Sequence, residues 1–241
     1  MSRLEHLRGL LGRYVAGDEV EAGHHRRMLE LAGAEGVGGG SDGPLADPPR
    51  RTARCGGTEE DPFSRSRFVP GHFTASSFIL SPDGRSVLLI HHRKLGRWLQ
   101  PGGHVEEGDA DVVAASRREA LEETGLGGLS GPVLAVNLNP ARRVVAGYSI
   151  PSIFDVDIHA IPAHGGEPAH EHFDVRFLYV SGTEGLRAGE GVRAARWVGL
   201  EELMGGGGTS DGMGGVADES VMRAVRKVLA GGALAGRRGG A

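Results

Sequence analysis

Glycine is concentrated in three stretches of this 241-residue chain, and these stretches limit where a hydrophobic core can form. The 42 glycines are far above the usual share of about 7%. Residues 35–59 combine glycine with proline and other small or polar residues, without an apolar period, and residues 205–215 and 231–241 are similarly rich in glycine. Such segments bury too little apolar surface to offset the entropy lost on ordering. We therefore predict a disordered linker at 35–59, a second linker at 205–215 and a flexible tail at 231–241.

Helices are predicted outside these linkers. Residues 1–34 are expected to be a helical N-terminal extension with two helices, the second one short. Residues 216–230 are expected to be an amphipathic helix, for which Asp218 is the predicted N-cap. The apolar residues at helical spacing are Leu4, Leu7, Leu10, Leu11 and Tyr14, then Met28, Leu29 and Leu31, and finally Val221, Met222, Val225, Val228 and Leu229.

Residues 60–204, between the linkers, are predicted to form the main domain. Two β-rich runs, 72–80 and 86–92, flank a Ser-Pro-Asp-Gly-Arg turn. Residues 110–124 are predicted to be a helix that ends at Gly125. This order of strands, helix, strands and short helix favours an α/β (α+β) sandwich around a mixed sheet. The later β-rich runs are 132–138, 152–161, 172–180 and 192–198.

Charge and cysteine content exclude several classes of protein. The chain has 27 basic and 31 acidic residues with no long basic run, which argues against a nucleic-acid binder. No stretch approaches the roughly 20 apolar residues of a membrane span, and the charged N-terminal residues do not resemble a signal peptide. Cys55 is the single cysteine, so neither an internal disulfide nor a CxxC metal site can form. We expect a cytoplasmic protein.

The helix predicted at 110–124 carries three glutamates on one side. At about 100° per residue, Glu119, Glu122 and Glu123 fall within one sector about 100° wide. Like charges at these spacings repel by about 0.2–0.5 kcal/mol per pair on an exposed helix. Clustered carboxylate oxygens are ligands that suit Mg²⁺ or Mn²⁺, and a solvated acidic face is the alternative interpretation.

Residues 102–126 resemble the signature of the Nudix hydrolases, G-x5-E-x7-R-E-U-x-E-E-x-G-U, where U is bulky and apolar. The preceding segment 71–109, with its Trp-x-x-Pro-Gly-Gly-His, is similar to a bacterial subgroup of that family. The resemblance implies a Nudix-type α/β/α sandwich over about residues 70–200. The residues that match the second half of the signature in register are Arg118, Glu119, Ala120, Glu122, Glu123, Gly125 and Leu126.

The first half of the signature departs from the family pattern by one residue. Counted from Gly103, Asp109 stands where the family has glutamate, and Arg118 comes one position late. We interpret this as a one-residue insertion at the loop–helix junction. Asp109 has two interpretations of equal weight, as the N-cap of the helix or as an outer metal ligand. Gly102 and Gly103 are both expected to lie in a loop.

The resemblance also implies a reaction, hydrolysis of a nucleoside diphosphate linked to another moiety. Glu119, Glu122 and Glu123 would hold Mg²⁺, or alternatively Mn²⁺, together with the backbone carbonyl of Gly103 and with Asp109 as outer ligand. Arg118 would orient the carboxylates rather than contact the substrate. The expected catalytic residues are thus Glu119, Glu122 and Arg118. The general base is either Glu119 or a carboxylate or histidine from another loop.

Two of the later β-rich runs have one polar side each. An antiparallel sheet with a hydrated face would explain this pattern. The alternatives are a substrate pocket or a second metal position, because His170-x-His172 directs two imidazoles to the same side. The polar residues are Asp155, Asp157 and His159 in the first run and His170, His172, Asp174 and Arg176 in the second, and the candidate substrate contacts among them are His170, His172 and Asp174.

Two residues near the signature are further candidates for substrate binding. His104 either approaches the substrate or is a solvated loop histidine. Trp98 either stacks on a base or packs beneath the loop. The expected partner is a small nucleotide-type molecule, and a homodimer is left open.

Two other functions are compatible with the same fold. A non-catalytic nucleotide-binding or regulatory module would be marked by loss of a signature glutamate, and none of the three glutamates on the helix is lost here. The isoprenyl-diphosphate isomerase branch is understood to use a catalytic cysteine. Cys55 lies in a predicted linker ahead of the sheet, which argues against that branch.

Overall fold

A computed structural model describes residues 1–34, 61–132, 152–204 and 218–230. The predicted linkers and tail, Cys55 and most of the run predicted at 132–138 lie outside these residues. The helices are α1 (Arg3–Leu11), α2 (Glu19–Leu31), α3 (Val112–Thr124), α4 (Leu200–Met204) and α5 (Glu219–Ala230). The strands are β1 (Gly71–Leu80), β2 (Ser86–His92), β3 (Trp98–Leu99), β4 (Gly102–His104), β5 (Asp155–Ile161), β6 (His170–Val180) and β7 (Val192–Gly199).

The strands form one mixed seven-stranded sheet. Its main order is β3-β2-β1-β6-β5, with β4 paired to β1 and β7 paired to β2. The long central strands β1 and β6 run parallel, from Gly71 opposite Glu171 to Leu80 opposite Val180. All other pairs are antiparallel. This confirms the predicted α+β class with a mixed sheet.

Helices cover both faces of the sheet because the central strands are apolar on both sides over much of their length. On one face, Phe73 and Phe173 share a core with α3 and with Leu7 and Leu11 of α1. On the other face, Phe78 and the neighbouring strands pack against α5 through residues such as Val225. The N-terminal helices therefore belong to the same hydrophobic core as the sheet.

The terminal helices also contact each other at the edge of the sheet. Lys227 of α5 donates to both carboxylate oxygens of Glu21 in α2, each at 2.9 Å. Asp218 caps α5 as predicted, since its Oδ1 accepts a hydrogen bond from the N–H of Ser220 at 2.8 Å. Leu229 lies off the apolar side of α5 and is 41% exposed. Within the four described ranges, no helix is long and apolar enough to cross a bilayer.

Helix α3 begins later than predicted. Its N-cap is Asp111, whose side chain accepts hydrogen bonds from two backbone N–H groups of the first turn, both at 2.9 Å. The expectation that Asp109 caps the helix is therefore wrong. The helix ends as predicted at Gly125, which adopts the left-handed conformation with φ 72°.

Gly102 and Gly103 lie in strand β4, so the expectation of a loop at these residues is wrong. They pair with Ser76 and Ala75 of β1, respectively. A Cβ on Gly102 would come within 2.2 Å of Ser76 Oγ, so the strands approach this closely only because the residue has no side chain. The pairing partner is distant along the chain, whereas the local Pro-Gly-Gly sequence is typical of a turn.

Candidate active site

Helix α3 presents Glu119 and Glu123 toward strand β4, while Glu122 is exposed. Its other side packs on β1, where Ser77 Oγ donates to the carbonyl of Ser116 at 2.8 Å. Small side chains such as Ala115 and Ala120 are fully buried on that side and let the helix lie close to the sheet. The carboxylate side carries Glu119, Glu122 and Glu123.

Arg118 connects this cluster to the preceding loop. Its Nη1 donates to Glu119 Oε1 at 3.1 Å and to Glu122 Oε2 at 3.0 Å. Its Nε and Nη2 donate to the two oxygens of Asp109, each at 3.0 Å, and Nη2 also reaches the His104 carbonyl at 2.8 Å. A planar guanidinium with five donors can hold several acceptors in one arrangement. The side chain is therefore placed to orient two of the three glutamates.

Asp109 holds the Arg118 guanidinium in place through two hydrogen bonds. It is 8% exposed, and its Oδ2 accepts a further hydrogen bond from the backbone N–H of Glu106 at 2.8 Å. With the two bonds from Arg118, three of its roughly four lone-pair sites are occupied. Neither interpretation offered for this residue, N-cap or outer metal ligand, describes these contacts. The geometry favours a role in positioning Arg118.

The remaining glutamate contacts the backbone of β4. Glu123 Oε2 accepts a hydrogen bond from the N–H of Gly102 at 3.0 Å. Burial raises the pKa of Glu123 to about 7. The negative charges of Glu119 and Glu122 also raise this pKa, whereas the hydrogen bond from Gly102 lowers it. Burial also raises the pKa of Glu119, although Arg118 opposes the shift. Glu119 and Glu123 are thus held in a partly buried position that disfavours their ionised forms.

Gly103 lies directly against this cluster. A Cβ at this position would come within 2.6 Å of Glu119 Oε1. Real Cβ atoms do not approach other atoms so closely, so a side chain here would displace Glu119. Gly103 and Glu119, which are 16 positions apart along the chain, are therefore neighbours in the folded protein.

Asp174 is placed inside the protein rather than toward a ligand. It is 1% exposed and accepts hydrogen bonds from Thr74 Oγ1 at 3.1 Å, Ser76 Oγ at 2.8 Å and Gln100 Nε2 at 3.2 Å. Arg176 Nε donates to it at 2.9 Å. These contacts do not support the expected substrate contact, because the carboxylate has no surface open to a ligand.

Arg176 is the centre of a buried ionic network on β5 and β6. Its guanidinium donates to Asp155 at 3.0 Å and to Asp157 at 3.1 Å as well as to Asp174. Arg223 of α5 donates to Asp155 at 3.1 Å and to Asp157 at 3.2 Å from above. The polar side predicted for these strands is therefore covered by α5 at this point, not hydrated.

The expected histidines do meet on the same side of the sheet, at its other end. His104, His170 and His172 surround His72 of β1, whose ring lies 4.8–5.2 Å from each of theirs. His72 was not among the site residues predicted from the sequence. The signal was present, since His72, Thr74 and Ser76 alternate with Phe73 and Ala75 as in a strand with one polar side.

Trp98 is buried in the hydrophobic core on the α5 side of the sheet. Its side chain is 3% exposed, with the Arg196 guanidinium 4.5 Å from its ring centre and His91 against its edge. Of the two interpretations for this residue, the structure thus favours packing over stacking on a base.

The sequence of this chain matches the model of a known protein family. A family model for the NUDIX domain matches residues 70–213. No curated protein sequence matches significantly. The family model spans more than half of the chain and covers the carboxylate helix, β4 and the central strands.

Solved structures with this fold are similar to the chain at low identity. A NUDIX-family hydrolase from Clostridium perfringens is 22% identical, with 66% of this chain and 96% of that chain covered and a TM-score of 0.45. A MutT NUDIX hydrolase from Burkholderia pseudomallei is 19% identical, with 65% and 96% covered and a TM-score of 0.42. The NUDIX domain of Shewanella oneidensis NrtR, complexed with ADP ribose, is 15% identical, with 65% and 87% covered and a TM-score of 0.39. The family match confirms the resemblance found in residues 102–126, and the chain belongs to the NUDIX domain family.

Proposed function

We propose that this protein is a divalent-metal-dependent pyrophosphohydrolase that cleaves a nucleoside diphosphate linked to another moiety. One observation carries the proposal. Glu119 and Glu123 lie against the glycine backbone of β4, Glu122 is joined to Glu119 through Arg118, and the pKa values of Glu119 and Glu123 are raised mainly because burial disfavours their ionised forms. A cluster of oriented carboxylates, two of them partly buried, fits a divalent cation.

The residues that would hold Mg²⁺, or alternatively Mn²⁺, are the three glutamates and the backbone carbonyl of Gly103. All of them offer oxygen, the ligand type that these ions prefer. The absence of a side chain at Gly103 keeps the space beside Glu119 open. When bound, the cation would neutralise phosphate charge and polarise the attacking water.

The chain's own residues would prepare this site before substrate arrives. Arg118 holds Glu119 and Glu122 at fixed positions and is itself fixed by Asp109. The Gly102 N–H holds Glu123. Because the ligands are already oriented, little reorganisation is needed when the cation and the diphosphate bind. Glu119, Glu122 and Arg118 are the residues that we propose as catalytic.

A methyl group at Gly103 is expected to impair this site. In Gly103→Ala the new Cβ would displace the Glu119 carboxylate, so we expect at least a tenfold loss of kcat/KM, as for other disturbed ligand-positioning contacts. Steady-state kinetics across a Mg²⁺ titration would measure it. Gly108→Ala is the matched control, because a Cβ there meets nothing within 4 Å. Equal losses in the two variants would contradict the role given to Gly103.

The reaction class is tested by phosphate and nucleotide release from a substrate panel with Mg²⁺. The panel contains nucleoside triphosphates, nucleotide sugars, ADP-ribose and dinucleoside polyphosphates. We expect turnover of at least one member, dependent on the divalent cation and abolished by a chelator. Binding of a member without any turnover would instead support the non-catalytic module, and absence of both would contradict a nucleotide ligand.

A further inference from the structure

Five histidines collect on the polar side of the sheet, on the strands β1, β4, β5 and β6. His72 is stacked between His104 and His170, with ring centres 5.1 and 5.2 Å away. His172 lies 4.8 Å from His72, and His159 lies 5.4 Å from His172. The strand register brings them together, since His72, His172 and His159 are cross-strand neighbours.

Backbone carbonyls orient two of these rings. His72 Nδ1 lies 3.0 Å from the carbonyl of Arg67, and His170 Nδ1 lies 2.9 Å from the carbonyl of Pro168. A carbonyl can only accept, so each Nδ1 carries the proton and donates. In the neutral form of each ring, the Nε2 atom then has a lone pair directed away from the carbonyl. Metal-binding histidines in proteins are held in this way.

Two ring nitrogens of this cluster are buried without a partner among the described residues. His72 is fully buried, and neither its Nε2 nor that of His172 has a hydrogen-bond partner among the described residues. An unsatisfied buried polar atom costs free energy. Two such atoms in one cluster therefore favour a bound group that accepts their lone pairs.

We propose that His72, His170 and His172 form a binding site for a divalent transition metal ion of the Zn²⁺ type. Each offers one ring nitrogen, and the three nitrogens lie within 4.8 Å of one another. Zinc–nitrogen bonds of about 2.0–2.1 Å in a tetrahedron need nitrogens roughly 3.4 Å apart, so small ring movements suffice. His104, whose ring adjoins both His72 and His172, is placed to supply or border the fourth position.

This site is chemically and spatially separate from the carboxylate cluster. Neutral imidazole nitrogen suits Zn²⁺, Ni²⁺ or Cu²⁺, whereas carboxylate and carbonyl oxygen suit Mg²⁺. Neighbouring residues of a strand point to opposite sides, so Gly103 faces Glu119 while the His104 ring joins the histidines. The proposal therefore does not depend on the activity proposed above.

The test is a metal titration of the full-length chain after removal of bound metal with a chelator. Calorimetry with Zn²⁺ is expected to give one tight site per chain. His172→Gln and, separately, His170→Gln are each expected to weaken that site about 100-fold, at the upper end of what disturbed zinc-site contacts cost. His164→Gln, an exposed histidine in the β5–β6 connection, is the matched control and is expected to leave the affinity unchanged.

Visible absorption of the Co²⁺-substituted protein identifies the ligands. We expect a four-coordinate spectrum without a sulfur charge-transfer band, which distinguishes the histidines from Cys55. A double variant, Glu122→Gln with Glu123→Gln, is expected to keep the Zn²⁺ site. Circular dichroism of each variant confirms that it is folded, and the two single histidine variants serve as independent checks. Absence of a stoichiometric Zn²⁺ site in the wild type, unchanged affinity in both histidine variants, or loss of the site in the glutamate variant would each overturn the proposal.

Discussion

Glu123→Gln is expected to lower kcat at least about 100-fold, the largest effect on activity that we predict. The glutamine carbonyl can still accept the hydrogen bond from Gly102, so the change removes charge while leaving the position of the side chain. The wild-type pKa of about 7 shows that burial and two neighbouring carboxylates already oppose ionisation. A divalent cation would be the group that restores the ionised form, and glutamine cannot ionise.

The measurement is kcat together with the Mg²⁺ concentration that gives half-maximal rate. In Glu123→Gln we expect a lower kcat and a higher half-maximal Mg²⁺ concentration, because a ligand that both binds the cation and supports the reaction loses its charge. Glu107→Gln is the matched control, since Glu107 is exposed on the loop before the helix. If Glu123→Gln turned over at the wild-type rate with the same Mg²⁺ dependence, the assignment of the carboxylate cluster as the catalytic metal site would be rejected.

Arg176→Met is expected to lower the free energy of unfolding by about 3–5 kcal/mol, the largest effect on stability that we predict. Arg176 is 1% exposed and lies within 3.1 Å of Asp155, Asp157 and Asp174. Burial by itself raises the pKa of Asp157, but a hydrogen bond with His159 and the charges of Arg176 and Arg223 hold it below its usual value. Methionine fills a similar volume and leaves three buried carboxylates short of a cation.

Chemical denaturation followed by circular dichroism measures this loss. Arg93→Met is the control, because Arg93 is exposed between β2 and β3, and a change within about 0.5 kcal/mol is expected there. Adding Asp174→Asn to Arg176→Met is expected to recover part of the loss, since it removes one of the stranded charges. A loss below about 1 kcal/mol in Arg176→Met would show that Arg223 and Lys227 compensate the aspartates by themselves.

Helical and strand periodicity were sufficient to predict much of the main domain. The glutamates of α3 share one side because 3.6 residues make a turn, whatever the helix packs against. The strands β1, β2, β5 and β6 follow from alternation and β-branched content, and Gly125 ends α3 through a local backbone requirement. The interactions behind these predictions are short-range, within a few residues along the chain.

Other expectations failed where the deciding contact is distant in sequence. Gly102 and Gly103 look like a turn locally, but β1 supplies them with strand partners. Asp109 and Asp111 are both suitable caps, and the choice depends on where Arg118 lies after folding. Trp98 could not be assigned without knowing that Arg196, from β7, lies over its ring.

The sequence by itself therefore determined the family, the class of fold and the carboxylate helix, since each depends on spacing along one segment. The tertiary structure decided which polar residues are buried in ion pairs and which remain free to bind. Asp174 and Arg176 neutralise each other beneath α5, whereas His72 joins His170 and His172, and the Nε2 atoms of His72 and His172 have no partner among the described residues. The physical reason is that a strand with one polar side has the same alternating sequence whether that side is ion-paired or open to a ligand. Which of the two occurs depends on the distant strands and helices that pack against it.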